Sequence, residues 1–179
     1  MRKKSQKAFT LIELLIVMAI VGILTGVLFL NYGSTEERLK LERAAQKLAQ
    51  DIRKTQEFAL AAKKQDCEGG TATSTYLIKF DTLKENYQIF AVCPSELLEV
   101  ANTTLEKKVY IKSLEINGGG SNSLTITFAP PDPIVIINND ENFKEAKIIL
   151  SLENSTLELE KTIETNKAGR IKVGRIIVK

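Results

Sequence analysis

MRKKSQKA (residues 1–8) runs directly into FTLIELLIVMAIVGILTGVLFL (residues 9–30), and this junction decides how the rest of the chain is read. The apolar run holds a single charged side chain, Glu13. As a helix rising 1.5 Å per residue, its 22 residues span about 33 Å, enough to cross the hydrocarbon core of a bilayer. An ionised carboxylate well inside such a helix costs roughly 2.5–3.5 kcal/mol, so Glu13 needs a partner or a route to the headgroups. A secretory signal peptide has a shorter apolar core, of about 7–15 residues, followed by a small-residue cleavage site. Here the run ends in NYGSTEERLK, with no A-x-A pattern. A plain, uncut anchor accounts for the length but not for Glu13.

The pattern K-A-F-T-L-I-E-L-L-I-V (residues 7–17) resembles the class III signal of type IV prepilins and pseudopilins. The resemblance covers residues 3–30 strongly and is readable to Lys64. It implies cleavage between Ala8 and Phe9 by a dedicated membrane peptidase and N-methylation of Phe9. Subunits then pack helix on helix into a filament, with Glu13 paired to the new α-amine of a neighbour's Phe9. The alternative for Glu13 is to snorkel to the cytoplasmic headgroups, since it lies near the membrane edge. Two departures stand out. Ala8 replaces the family's usual Gly before the cut, and Leu30 sits where many major pilins carry a kinking Pro. No proline precedes Pro94, so the helical hydrogen-bond ladder can run unbroken. Gly22 and Gly26 form a small-xxx-small pair that lets another helix approach, although such pairs are common in membrane helices generally.

Over the whole chain 25 basic residues face 22 acidic ones, a net charge of +3. Arg2, Lys3, Lys4 and Lys7 lie in the leader, and without it the balance is −1. The leader's charge therefore reads as a topology signal: N-terminus cytoplasmic, everything after Leu30 extracytoplasmic. Histidine is absent, which removes His-based acid–base catalysis and imidazole metal sites. No nucleophile–base constellation, cofactor motif or metal motif is evident, so the expectation is a structural protein, not an enzyme, with no cofactor.

The expected fold is α+β. Residues 1–8 are a cleaved leader, 9–30 a transmembrane and assembly helix, 31–66 an amphipathic helix, and 67–179 an antiparallel β domain packed on that helix. NYGST (31–35) reads as a polar break. Beyond it Leu41, Ala45, Leu48, Ile52, Thr55, Ala59 and Ala62 recur at spacings of four and three, one apolar stripe opposite Arg43, Gln46, Lys47, Gln50, Arg53, Lys54 and Glu57. The helix is expected to end near Gln65–Gly70, at Gly69-Gly70. From Thr75 the period becomes two. Strands are expected at 75–80, 87–92, 109–116, 124–128, 134–137, 146–152, 157–161 and 170–178. GGGSN (118–122) and PPDP (130–133) read as loops, NNDEN (138–142) as a turn. The helix-first order and a late G-R-I-K-V are similar to the H-type pseudopilin and minor-pilin branch.

Three further features carry alternatives. Cys67 and Cys93 are expected to form a disulfide in an oxidising compartment, the alternative being two buried thiols that never meet. Asp132 with residues 138–142 offers oxygen ligands for calcium but lacks EF-hand spacing, so a solvated turn is expected. Across residues 161–179 six basic side chains face Glu164, a net of +5. G-R-I-K-V-G-R resembles the basic tail with which some minor pilins of competence systems hold DNA, and Arg170, Lys172 and Arg175 are the candidate contacts. The alternative is an edge strand with Ile171 and Val173 inward and Arg170 and Lys172 outward. The reading is thus a minor pilin or pseudopilin whose partners are other pilins, the prepilin peptidase and the cytoplasmic membrane, with DNA as the rival.

Overall fold

The computed structural model describes residues 10–30, 32–67, 72–82, 84–130, 134–155 and 158–178, with side chains of 27–30, 32–34 and 72 left aside. The chain divides into two compact units, Met1–Glu36 and Glu37–Lys179. Two helices come first, α1 (Leu11–Leu30) and α2 (Tyr32–Leu60), followed by β1 (Gln65–Asp66), β2 (Ala72–Thr73), β3 (Tyr76–Asp81) and β4 (Asn86–Val92). Next come β5 (Leu97–Thr104), β6 (Val109–Ile116), β7 (Gly119–Ser121) and β8 (Ser123–Ala129). The last four are β9 (Ile134–Ile137), β10 (Glu145–Leu152), β11 (Leu159–Asn166) and β12 (Ile171–Val178). The result is the expected α+β class.

From Leu41 to Ala59, α2 buries one face. Leu41, Ala45, Leu48, Ile52, Thr55 and Ala59 are inside as their spacing requires, and Ala44 and Ala49 widen the stripe. Small residues here let the helix lie close to the sheets, and this burial, more than intrinsic propensity, is what stabilises an amphipathic helix in water. The predicted outer positions Arg43, Gln46, Lys47, Gln50, Arg53, Lys54 and Glu57 are all exposed.

Both ends of this helix differ from expectation. Residues 32–35 are helical, so no polar break interrupts them; Asn31 lies outside the described residues. At the other end the helix stops at Leu60, and Gln65–Asp66 is already a strand. Lys63 N–H donates to Phe58 C=O at 3.0 Å and Ala62 N–H to Ala59 C=O at 2.9 Å. With Ala62 at φ 45°, this is a Schellman closure in which alanine takes the left-handed position that glycine usually fills. That geometry also turns Ala62 out to solvent instead of continuing the buried stripe. The expected stop signal, Gly69-Gly70, lies outside the described residues.

The strands form two antiparallel five-stranded sheets, ordered β12-β11-β10-β6-β7 and β5-β4-β3-β8-β9, with β1 and β2 as a separate ribbon. Alternation puts Tyr76, Ile78 and Phe80 of one sheet and Ile111, Leu114 and Ile148 of the other into a single core with Leu48 and Ile52 of α2. Seven expected strands match to within a residue or two. The 157–161 expectation is displaced to β11, which runs on to Asn166. β5 was not expected at all. GGGSN proves to be partly strand: the turn is Asn117-Gly118, and β7 pairs back on β6. Asn138 and Asn139 form a turn with positive φ, as their residue type favours. Of the PPDP loop, residues 131–133 lie outside the described residues.

Candidate functional site

In the first unit, Thr10 opens α1. Its hydroxyl accepts a 3.4 Å hydrogen bond from the Glu13 N–H, and Glu13 sits three residues on, the T-x-x-E spacing of a capping box. A carboxylate in the first turn also complements the positive end of the helix dipole. Sequence reading assigned Glu13 to an intersubunit pair and missed this local role, although T-x-x-E was legible. Ala8 and Phe9, the expected cleavage and methylation positions, lie outside the described residues.

From Leu11 to Leu24 every large apolar side chain of α1 is exposed, from Val17 at 51% to Leu11 at 84%. A surface helix of a water-soluble fold ordinarily pairs an apolar stripe with a polar face, and α1 has no polar face over this stretch. Gly22 and Gly26 lie on it with nothing within 4 Å of where a Cβ would sit, leaving both positions open to a neighbour. Among the described residues no helix is long and apolar enough to cross a membrane. The described side chains of α1 stop at Gly26, while its apolar sequence runs on to Leu30.

In the second unit Glu37, Glu42 and Asp51 of α2 meet partners on the β unit. Glu42 pairs with Lys161 of β11, whose side chain is only 5% exposed. A hydrogen bond from Gln46, and then Lys161 itself, hold the Glu42 carboxyl below its ordinary range. Asp51 accepts a short hydrogen bond from the Tyr87 hydroxyl. Burial, reinforced by that hydrogen bond, pushes the Tyr87 phenol far above its usual value. Ser155 donates to Glu37 at 2.8 Å. Behind the sheet, Lys112 reaches the buried Glu160 at 2.6 Å. Lys161 is buried and Glu42 is its carboxylate partner, so losing Glu42 would leave a buried ammonium without this ion pair, and the contact helps to seat α2 on β11.

Cys67, just after β1, is disulfide-bonded to Cys93, just after β4, with their Cα atoms 5.8 Å apart. The bridge ties the segment after α2 to the β5-β4-β3-β8-β9 sheet.

The C-terminal tract is built as a hairpin strand. Gly169, at φ 70°, closes the β11–β12 turn; a Cβ there would meet the Gln56 side chain at 2.5 Å. Asn166 Oδ1 accepts from the Arg170 N–H at 2.9 Å. Ile171, Val173 and Ile176 pack against the core. Arg170, Lys172 and Arg175 are exposed, and Lys172 Nζ lies 3.7 Å from Glu164. At Gly174 the ladder bulges, since Lys161 pairs with Ile176 and Ile163 with Val173, and the Thr162 carbonyl would stand 3.2 Å from any Cβ. The whole G-R-I-K-V-G-R pattern therefore has a structural account: turn, alternation, bulge.

The clefts of this unit are open and polar. One, about 510 Å³, is lined by Asn117, Asn142, Lys144, Glu145 and Asn166, with no hydroxyl or thiol beside a base.

No curated protein and no solved structure matches the chain. The family described as the prokaryotic N-terminal methylation motif matches residues 3–29, which supports a type IV prepilin-like precursor.

Proposed function

We propose that this chain is a minor pilin or pseudopilin of a type IV pilus, type II secretion or competence filament, of the H-type branch, and that it acts by assembly, not catalysis. The observation that carries this reading is the methylation motif lying on an apolar helix exposed on every side. In this reading a peptidase cuts after Ala8 and Phe9 is methylated. Residues 9–30 hold the chain in the cytoplasmic membrane until neighbouring subunits replace the lipid around α1. Glu13, capped locally by Thr10, then meets the α-amine of a neighbour's Phe9, and Gly22 and Gly26 admit a neighbouring helix. The β unit is extracytoplasmic, where the Cys67–Cys93 bond is stable.

The experiment is intact-mass analysis of the protein from its own host. The expected chain begins at Phe9 and carries one added methyl group. A chain still beginning at Met1, or cut after Leu30, overturns the proposal. For the C-terminal strand, the edge-defence reading is preferred over a DNA grip, because Ile171, Val173 and Ile176 are committed to the core and Lys172 stands beside Glu164.

A further inference from the structure

The face of α2 that points away from the sheets has a pattern of its own. Leu39 and Leu60, each 47% exposed, lie at its two ends. Between them Arg43, Gln46, Gln50, Arg53 and Glu57 are also exposed and continue the spacing of four and three without interruption. Seven positions thus form one straight line about 31 Å long, on the side opposite the buried stripe. A 3.5-residue repeat held for three turns of the pattern is the geometry with which one helix lies along another at a shallow angle. Single exposed leucines are ordinary on a surface. Two of them terminating a shared helical line are what end contacts of a second helix require.

The charge of this face is mostly basic, and three of the five acids of α2 are used elsewhere. Glu37, Glu42 and Asp51 are engaged with Ser155, Lys161 and Tyr87. What remains along the outer line and its flank is Arg43, Lys47 and Lys54 against Glu57, while Arg53, also exposed, donates to the Ile171 carbonyl of β12 at 3.4 Å. We infer that this face is a docking strip for the acidic face of a parallel helix on a different filament subunit. The inference rests on the reading of the chain as a filament subunit and adds which kind of neighbour it accepts.

The other occupants fit less well. A parallel second copy sets a basic face against a basic face, and like charges so placed destabilise packing. An antiparallel copy would seat Arg43 against Glu57, but it opposes Lys47 to Arg53, like charge to like charge. A phosphate polymer gains nothing from Leu39 and Leu60 and is repelled by Glu57 near the line's C-terminal end, and a lipid surface could take up only those two leucines, about 31 Å apart with polar side chains between them. An acidic helix satisfies both the leucines and the charge, and opposite charge also steers the encounter.

The test is a photo-crosslinking amino acid at Gln50 in the full-length chain, in cells that assemble the filament. The N-terminus is read by mass in the same samples. The expected adduct joins Gln50 to another chain with a methylation motif, through a helical stretch of net negative charge. Arg43→Glu with Lys47→Glu lowers its yield about tenfold, the effect of about 1.4 kcal/mol, and reversing two acids of the partner restores it. Leu60→Ser, which changes no charge, lowers the same adduct. Retention of the Cys67–Cys93 bond on non-reducing gels confirms that the variants fold. An adduct to a second copy, to phospholipid or to nucleic acid overturns the inference, as does a yield indifferent to the charge reversal. A processed N-terminus with no adduct overturns the docking strip alone. An unprocessed N-terminus with the expected adduct overturns the filament reading and leaves the strip standing.

Discussion

The two helices make opposite use of the same backbone. α1 is apolar around its whole circumference and keeps its large side chains exposed; from Leu41 to Ala59, α2 is apolar on one face and buries that face completely. The apolar stripe of α2 finds its cover inside its own chain, whereas α1 keeps its large apolar side chains exposed from Leu11 to Leu24. Folding is therefore written into α2, and in the proposed reading assembly is written into α1. The sharpest way to break this comparison is to make one truncation in each. Leu48→Ala removes a fully buried side chain between α2 and the sheets and is expected to cost roughly 2.7–5 kcal/mol. Leu15→Ala, on a side chain 61% exposed, is expected to leave thermal unfolding of the β unit unchanged. Equal losses by denaturant titration of the full-length protein in detergent would erase the distinction.

The exit of α2 is stapled where α1 has no staple. In the chain-entropy treatment, closing the 26-residue separation between Cys67 and Cys93 is worth about 3.5 kcal/mol. Cys67→Ser is therefore expected to lower stability by about that amount, and the loss should match that of wild type measured under reducing conditions. A smaller effect follows from pH. The folded Glu42 carboxyl sits below its ordinary range, so its contribution is fully present above the unfolded value, near 4.5. It is lost as pH falls through the lower folded value. Stability should decline on acidification below about 4.5, and Glu42→Gln should flatten that decline. Because the Glu42 side chain is 39% exposed, solvent screening keeps this effect below that of the disulfide.

What the sequence made legible follows the same physical division. The buried stripe of α2 could be read because its periodicity is carried by apolar residues whose only role is packing. β6 and β9 were placed to the residue too, as runs rich in Val, Ile and Leu bounded by turn residues. β5 was hidden: LLEVANTT is an edge strand, and a bulge at Val100, where Ile89 pairs with Ala101 and Phe90 with Glu99, breaks its alternation. The acidic partners on α2 were illegible too, since Glu42 meets Lys161 across 119 residues and nothing local announces it. At the candidate site the motif itself was plain, whereas the capping geometry of Thr10 and Glu13 was overlooked in favour of a longer-range role.

The end of α2 gives the finest test, because it is a place where sequence and structure disagree by one methyl group. Helices commonly stop with glycine in the left-handed conformation, and here Ala62 holds φ 45° instead. An L-residue with a Cβ in that region costs roughly 1–2 kcal/mol, which the two closing hydrogen bonds from Ala62 and Lys63 offset. Ala62→Gly removes the strain but gives the unfolded chain more freedom, a penalty of about 0.4–1 kcal/mol. The net expectation is a gain of about 0.5 kcal/mol, seen as a small rise in the denaturant midpoint with an unchanged slope. Ala62→Val, β-branched at the same backbone angle, should go the other way by a larger amount. If both variants were neutral, Ala62 would not be holding the left-handed cap, and α2 would be free to extend toward Gln65.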